Sequence, residues 1–187
     1  TIHMIIKNGT LHDAVSAQPY QADLALRDGV IAAIAPNLTP LAGEEVFDAA
    51  GKQVYPGFVD AHSHLGLDGY GMGWEGRDYN ERCDVVSAHL RGIDSFNPLD
   101  RSIPMAVAGG GTCVGTGPGS ANVIGGTFLV VKTFGRCVDD MVLKAEAAMK
   151  CAFGENPKRC YQDKGNSARM TSAAHLREML FLARDYM

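Results

Sequence analysis

Two histidines one residue apart, His62 and His64, follow an apolar run and precede a glycine-rich stretch in the segment PGFVDAHSHLGL, residues 56–67. On a β-strand successive side chains alternate faces, which predicts Asp60, His62 and His64 on one side and Ala61 and Ser63 on the other. Two neutral imidazoles about 7 Å apart on one strand face can converge on a single divalent ion. Asp60, one step deeper, is placed to orient a ligand. An isolated His-x-His is more often surface decoration or a core pair bonded to backbone. Here Pro56-Gly57, an apolar strand body and the glycine-rich stretch set the pair at the carboxyl end of a buried strand, where crevices open.

Before the pair, residues 4–55 read as short strands between turns: MIIK up to Asn8-Gly9, ADLALR up to Asp28-Gly29, VIAAIA, then EEVFDA and KQVY around Gly51. Asn-Gly and Asp-Gly are hairpin signals because both residues tolerate positive φ, and the alternation in ADLALR predicts a sheet with one wet face. The opening Thr1-Ile2-His3 fits this strand poorly, so the native start is expected at Met4.

After the pair comes a long Gly-rich loop, Gly66 to Phe96, carrying the only tryptophan, Trp74; a loop of that length is expected to be a lid or binding loop. Asn97-Pro98 with Asp100 predicts a helix start, shortened or kinked at Pro104 and stopped at Gly109. A second strand (TCVGTGPG), an apolar extended segment that could be a hairpin arm (GGTFLVVKT), a short helix (VDDMVLKAEA), a third strand (AMKCAFGEN) and a long amphipathic helix (TSAAHLREMLFLARDYM) follow. Alternating strands and helices predict an α/β architecture with a parallel sheet and right-handed crossovers. The expected domains are a small all-β unit in 1–56 and a β/α unit in 57–187.

With 46% hydrophobic residues, a net charge of −4 and no cluster of Lys or Arg, the chain offers no footprint for nucleic acid or an anionic membrane. No apolar run approaches the roughly 18 residues of a membrane helix, and no signal-peptide pattern opens the chain; a cytoplasmic location is expected. Five cysteines without a C-x-x-C motif are expected to be free and mostly buried. The GTGPGSANVIGG loop has neither nucleotide-binding glycine pattern, and its glycines are expected to let backbone pass close to a ligand or a neighbouring strand. His89 and His175 are expected in helical surroundings, as non-ligands.

PGFVDAHSHLGL, preceded by IIKNGTLHDA and ADLALRDGVIAAIAP, resembles the start of amidohydrolase-superfamily enzymes. In these a small β-sandwich precedes a TIM-type (β/α)8 barrel whose first strand carries a His-x-His metal pair. GIDSFNP, GTGPGSANVIGG, KTFG and MKCAFGENPKR resemble more narrowly the imidazolonepropionase-like branch of metallo-dependent hydrolases. The resemblance implies a hydrolase of C–N bonds in a small cyclic amide or peptide-like substrate, with a divalent metal, expected to be zinc, activating a water. It makes His62 and His64 metal ligands. It also implies a carboxylated lysine or a glutamate from a middle strand; Lys150 and Glu155 are both available, and Glu155, nearer the carboxyl end, is preferred, with a rim ion pair as its competing role. Lys158, Arg159 and Arg169 are candidates to hold a substrate carboxylate.

About 130 residues follow Pro56, against roughly 250 for a closed eight-stranded barrel. About three of eight β/α units are therefore expected, and the family's proton-handling aspartate is expected beyond residue 187. A truncated chain of this kind should lack turnover alone. Its open strands predict a homo-oligomer or pairing with a missing C-terminal half; the rival reading is a catalytically inactive half-barrel that associates with itself or a partner chain.

Overall fold

The computed structural model describes residues 3–187; of the opening tripeptide, Thr1 and Ile2 lie outside the described residues, and the His3 ring lies 3.1 Å from the Asp28 carboxylate. The chain divides into two compact units, one ending at Pro56 and one running from Gly57 to Met187.

The first unit is one mixed sheet built from β1 (Met4–Leu11), β2 (Tyr20–Arg27), β3 (Val30–Ala35), β4 (Glu45–Asp48) and β5 (Gln53–Val54). The order is β3-β2-β1-β4, with β5 also beside β1. β2 runs antiparallel to β1 and β3, while β4 and β5 run parallel to β1. The expected sandwich is thus a single layer among the described residues. Asp28-Gly29 makes the predicted two-residue hairpin turn, both residues at positive φ (53° and 78°). Asn8-Gly9 does not turn the chain. It forms a bulge inside β1: Ile6 pairs with Leu24 but Gly9 with Ala22, and Asn8 takes φ 62°. Asp23 reaches across from β2 to accept the Asn8 N–H at 2.8 Å, which holds that left-handed residue in place.

The second unit holds β6 (Phe58–Ser63), α1 (Gly92–Ser95), α2 (Ser102–Ala108), β7 (Gly111–Thr116), β8 (Ile124–Lys132), α3 (Val138–Met141), β9 (Val142–Cys151), α4 (Glu155–Tyr161) and α5 (Arg169–Tyr186). Its sheet order is β6-β7-β8-β9. β6 and β7 are parallel, joined through α2, but β8 is antiparallel to both β7 and β9. The all-parallel expectation is corrected here: GGTFLVVKT returns as a hairpin arm, and no barrel closes among the described residues. The helix expected over VDDMVLKAEA is a single turn; from Val142 the chain joins β8 through Val131 and Val130, and that pairing overrides the helix preference of Leu, Lys, Ala and Glu. α2 starts later than Asn97-Pro98 predicts. Asp100 accepts the Ser102 N–H at 2.8 Å and so opens it, and Pro104 falls in its first turn, where proline needs no donor.

One face of this sheet buries Val114, Leu129 and Val131 with Leu67, Phe96, Ile103 and Met141. The loop before α1 is tied down through Tyr161, whose hydroxyl donates to the Glu81 carbonyl at 2.7 Å and accepts from Asn122 Nδ2 at 2.8 Å. Burial pushes this phenol up to about 12, so it stays a donor across the working pH range. Trp74 lies in a 3-10 turn of that loop, exposed. All five cysteines are free; none is fully buried, contrary to expectation, since they fall on loops, on β7 and β9, and on α4 rather than in the core.

Candidate metal centre

β6 delivers the histidine pair. It lies at the edge of the sheet with β7 beside it, so Phe58 to His62 are exposed rather than buried as the apolar run suggests. Asp60 pairs with Val114 and Ser63 with Thr116, so three residues of β6 span two of β7. This bulge breaks strict alternation and re-aims the side chains that follow it. Gly115 makes room: a Cβ there would lie 2.7 Å from the Ala61 carbonyl oxygen.

The two imidazoles come together, ring centroids 5.8 Å apart and planes at 86°. His64 Nδ1 lies 2.8 Å from the Gly117 carbonyl oxygen. A carbonyl only accepts, so Nδ1 carries the proton and, in the neutral ring, Nε2 keeps its lone pair. That is the state a metal-ligating histidine needs. Lys150 Nζ lies 3.1 Å from His62 Nε2, and burial pushes its amine below the ordinary lysine range. Phe128 packs against both imidazoles and beneath the Lys150 amine, and Tyr79 stacks on His64 at 5.1 Å. A cavity of about 260 Å³ with Asp68, Tyr70 and Asp100 among its walls reaches His64.

The other sequence-predicted residues stand elsewhere. Asp60 accepts the backbone N–H of His62 at 3.1 Å; that bond steadies the bulge rather than an imidazole. Glu155 opens α4 and pairs with Arg169, both side chains largely exposed. Among the described residues no three His, Cys, Asp or Glu side chains are grouped to hold a metal, so Glu155 does not join the histidines. Lys150, not Glu155, is the side chain that reaches His62. Arg159 donates to Asn156 on the same helix at 3.1 Å, and Lys158 is half-buried on α4. His89 lies in a turn and His175 on α5. Gly117, Phe128 and Tyr79 were not singled out by sequence reasoning; only the glycine-rich run around Gly117 carried a signal, that of backbone passing close to something.

Two imidazoles with one tautomer fixed and a lysine amine against them define a candidate divalent-metal centre at the end of a parallel strand. Known proteins similar to this chain are amidohydrolases and their relatives. The amidohydrolase from Thermotoga maritima MSB8, a solved structure, matches 98% of this chain with a TM-score of 0.93 and 39% identity, and the chain spans 48% of it. The amidohydrolase tasK of Hapsidospora irregularis is 38% identical over 128 residues, 62% of this chain and 13% of its own length. The D-hydantoinase of Geobacillus stearothermophilus is 48% identical over 63 residues, 34% of this chain and 13% of its own. No family model matches. The chain is related to the amidohydrolase superfamily, with hydantoinases and dihydroorotases among its relatives. Those relatives carry the superfamily relation without singling out the imidazolonepropionase-like branch. The chain spans about half of the solved relative and a small part of the curated ones. No helix among the described residues is long and apolar enough to cross a membrane.

Proposed function

We propose that this chain carries the metal-binding portion of a metal-dependent hydrolase of C–N bonds in small amides, cyclic amides included. The observation that carries the reading is the closeness of the His62 and His64 rings with Lys150 against His62, and His64 already held as the Nδ1–H tautomer. Two imidazoles alone fall short of the three protein ligands usual in a catalytic zinc site. Lys150 completes the set if its neutral amine adds to CO2: a nitrogen–carbon bond forms, one proton leaves, and a carboxylate faces the histidines. The donors then match zinc or a similar divalent ion. Bound there, such an ion supplies Lewis acidity toward a substrate carbonyl and acidifies a water. The residues' own part is to present nitrogen and oxygen donors, to keep the lysine's far side against an aromatic ring, and to leave the cavity beside His64 open.

The reading is tested by adding zinc and ¹³C-bicarbonate to the chain and recording ¹³C NMR spectra. A zinc-dependent carbamate resonance that Lys150→Ala removes is expected; no resonance, or one that survives in Lys150→Ala, contradicts it. A second reading, association with a complementary chain segment or a second copy, is favoured by one observation. β6 and β9 end the sheet with Val59 and Leu143 more than half exposed.

A further inference from the structure

We propose that Phe128, admitted by Gly117, is the positioning residue of this centre: its ring sets the orientation of both imidazoles and seats the Lys150 side chain beside them. The inference rests on the reading of His62 and His64 as metal ligands. A single ring is shared by all three groups. Its centroid lies 5.3 Å from that of His62 with planes at 78°, and 6.5 Å from that of His64 at 63°. Lys150 Nζ stands 5.7 Å from the same centroid. Edge-to-face rings and an amine over a ring are the arrangements an aromatic quadrupole favours. Rings held this way lose the free rotation about χ2 that would let each imidazole swing out of line.

The antiparallel course of β8 is what brings the ring there. Phe128 pairs with Ala148 across β9, so it shares a face with Lys150 two residues on. Its neighbour Leu129 points the other way, into the hydrophobic core. Phe128 is buried, yet it is not part of that core cluster; its partners include the residues of the centre. Gly117 fits the same account twice. A Cβ there would lie 2.4 Å from Phe128 Cδ2 and 2.9 Å from Phe128 Cα, so any side chain would displace the ring. The carbonyl of the same residue takes the His64 Nδ1 proton.

The test is a titration of the full chain with Co(II), following the visible d–d band, which reports ligand geometry, and then competition with zinc for affinity. His62→Ala, Phe128→Leu, Phe128→Tyr, Gly117→Ala and the core control Leu129→Ala are compared with wild type, each checked for folding by circular dichroism. Phe128→Leu and Gly117→Ala are expected to shift the band and weaken binding about 10- to 100-fold. Phe128→Tyr, which keeps the ring, should stay near wild type, and Leu129→Ala should lower the melting temperature without moving the band. Gly117→Ala keeps the ring present but displaced, so it decides the matter if Phe128→Leu does not fold. Binding that His62→Ala abolishes but Phe128→Leu or Gly117→Ala leaves unchanged in affinity and spectrum overturns this inference alone. No Co(II) binding in wild type overturns the metal reading and this inference with it.

Discussion

At the level of single residues, the balance between Lys150 and Glu155 turns on side-chain reach. Glu155 stands at a helix start and meets Arg169, whereas Lys150 lies on β9 and extends to His62. Lys150→Ala is therefore expected to weaken zinc binding by at least about 10-fold, and Glu155→Ala to leave it unchanged, as read by competition with a chromophoric chelator. In the first unit, Asp23 is 3% exposed and accepts the N–H groups of Asn8 and Leu38 while pairing with Lys7 at 2.9 Å. The Asn8 bond foremost, with Lys7 and Leu38, holds its carboxyl below the usual range against the cost of burial. A folded pKa below the unfolded one means stability that is complete above the ordinary carboxylate range and lost as pH falls through the lowered value. Asp23→Asn should cost about 3 kcal/mol at pH 7. It should also lose less stability than wild type between pH 5 and pH 3, both read from urea unfolding.

Among the elements, glycines mark where strands must bend or meet. Gly29 sits at φ 78° with nothing near its missing Cβ, so Gly29→Ala should cost only the left-handed penalty, about 1 kcal/mol. Gly126 takes φ 105° in a bulge opposite Lys150, and a Cβ there would lie 2.5 Å from the Leu90 carbonyl oxygen. Gly126→Ala should cost about 3 kcal/mol, and the difference between the two variants is checked by thermal melting. These features also show what sequence could and could not disclose. Asp28-Gly29 was legible as a turn because both residues supply the same backbone conformation wherever they occur. Asn8-Gly9 has the same local chemistry, but its use as a bulge depends on Asp23, fifteen residues away in the chain. The His-x-His pair was visible in the sequence but its exposed edge strand was not; the proposed role of Phe128 was hidden because it depends on β8 reversing direction and on Gly117 just past the end of the adjacent strand β7. VLKAEA read as helix by composition, and only the partner strand made it β9.

On the scale of the molecule, the sheet of the second unit ends in two open strands, and the chain spans 48% of the solved relative it matches over almost its full length. Apolar residues on terminal strands invite another strand or another chain. The account predicts an apparent mass in light scattering that rises with concentration above the 19.9 kDa of one chain. Val59→Lys with Leu143→Lys should suppress that rise; a strictly monomeric wild type would remove the case for association. The central claim, that His62 and His64 hold a divalent ion, meets its most direct test in the zinc content per chain after loading and desalting, measured by inductively coupled plasma mass spectrometry. About one zinc per wild-type chain and none in His62→Ala is the predicted result; full zinc content in His62→Ala would contradict it.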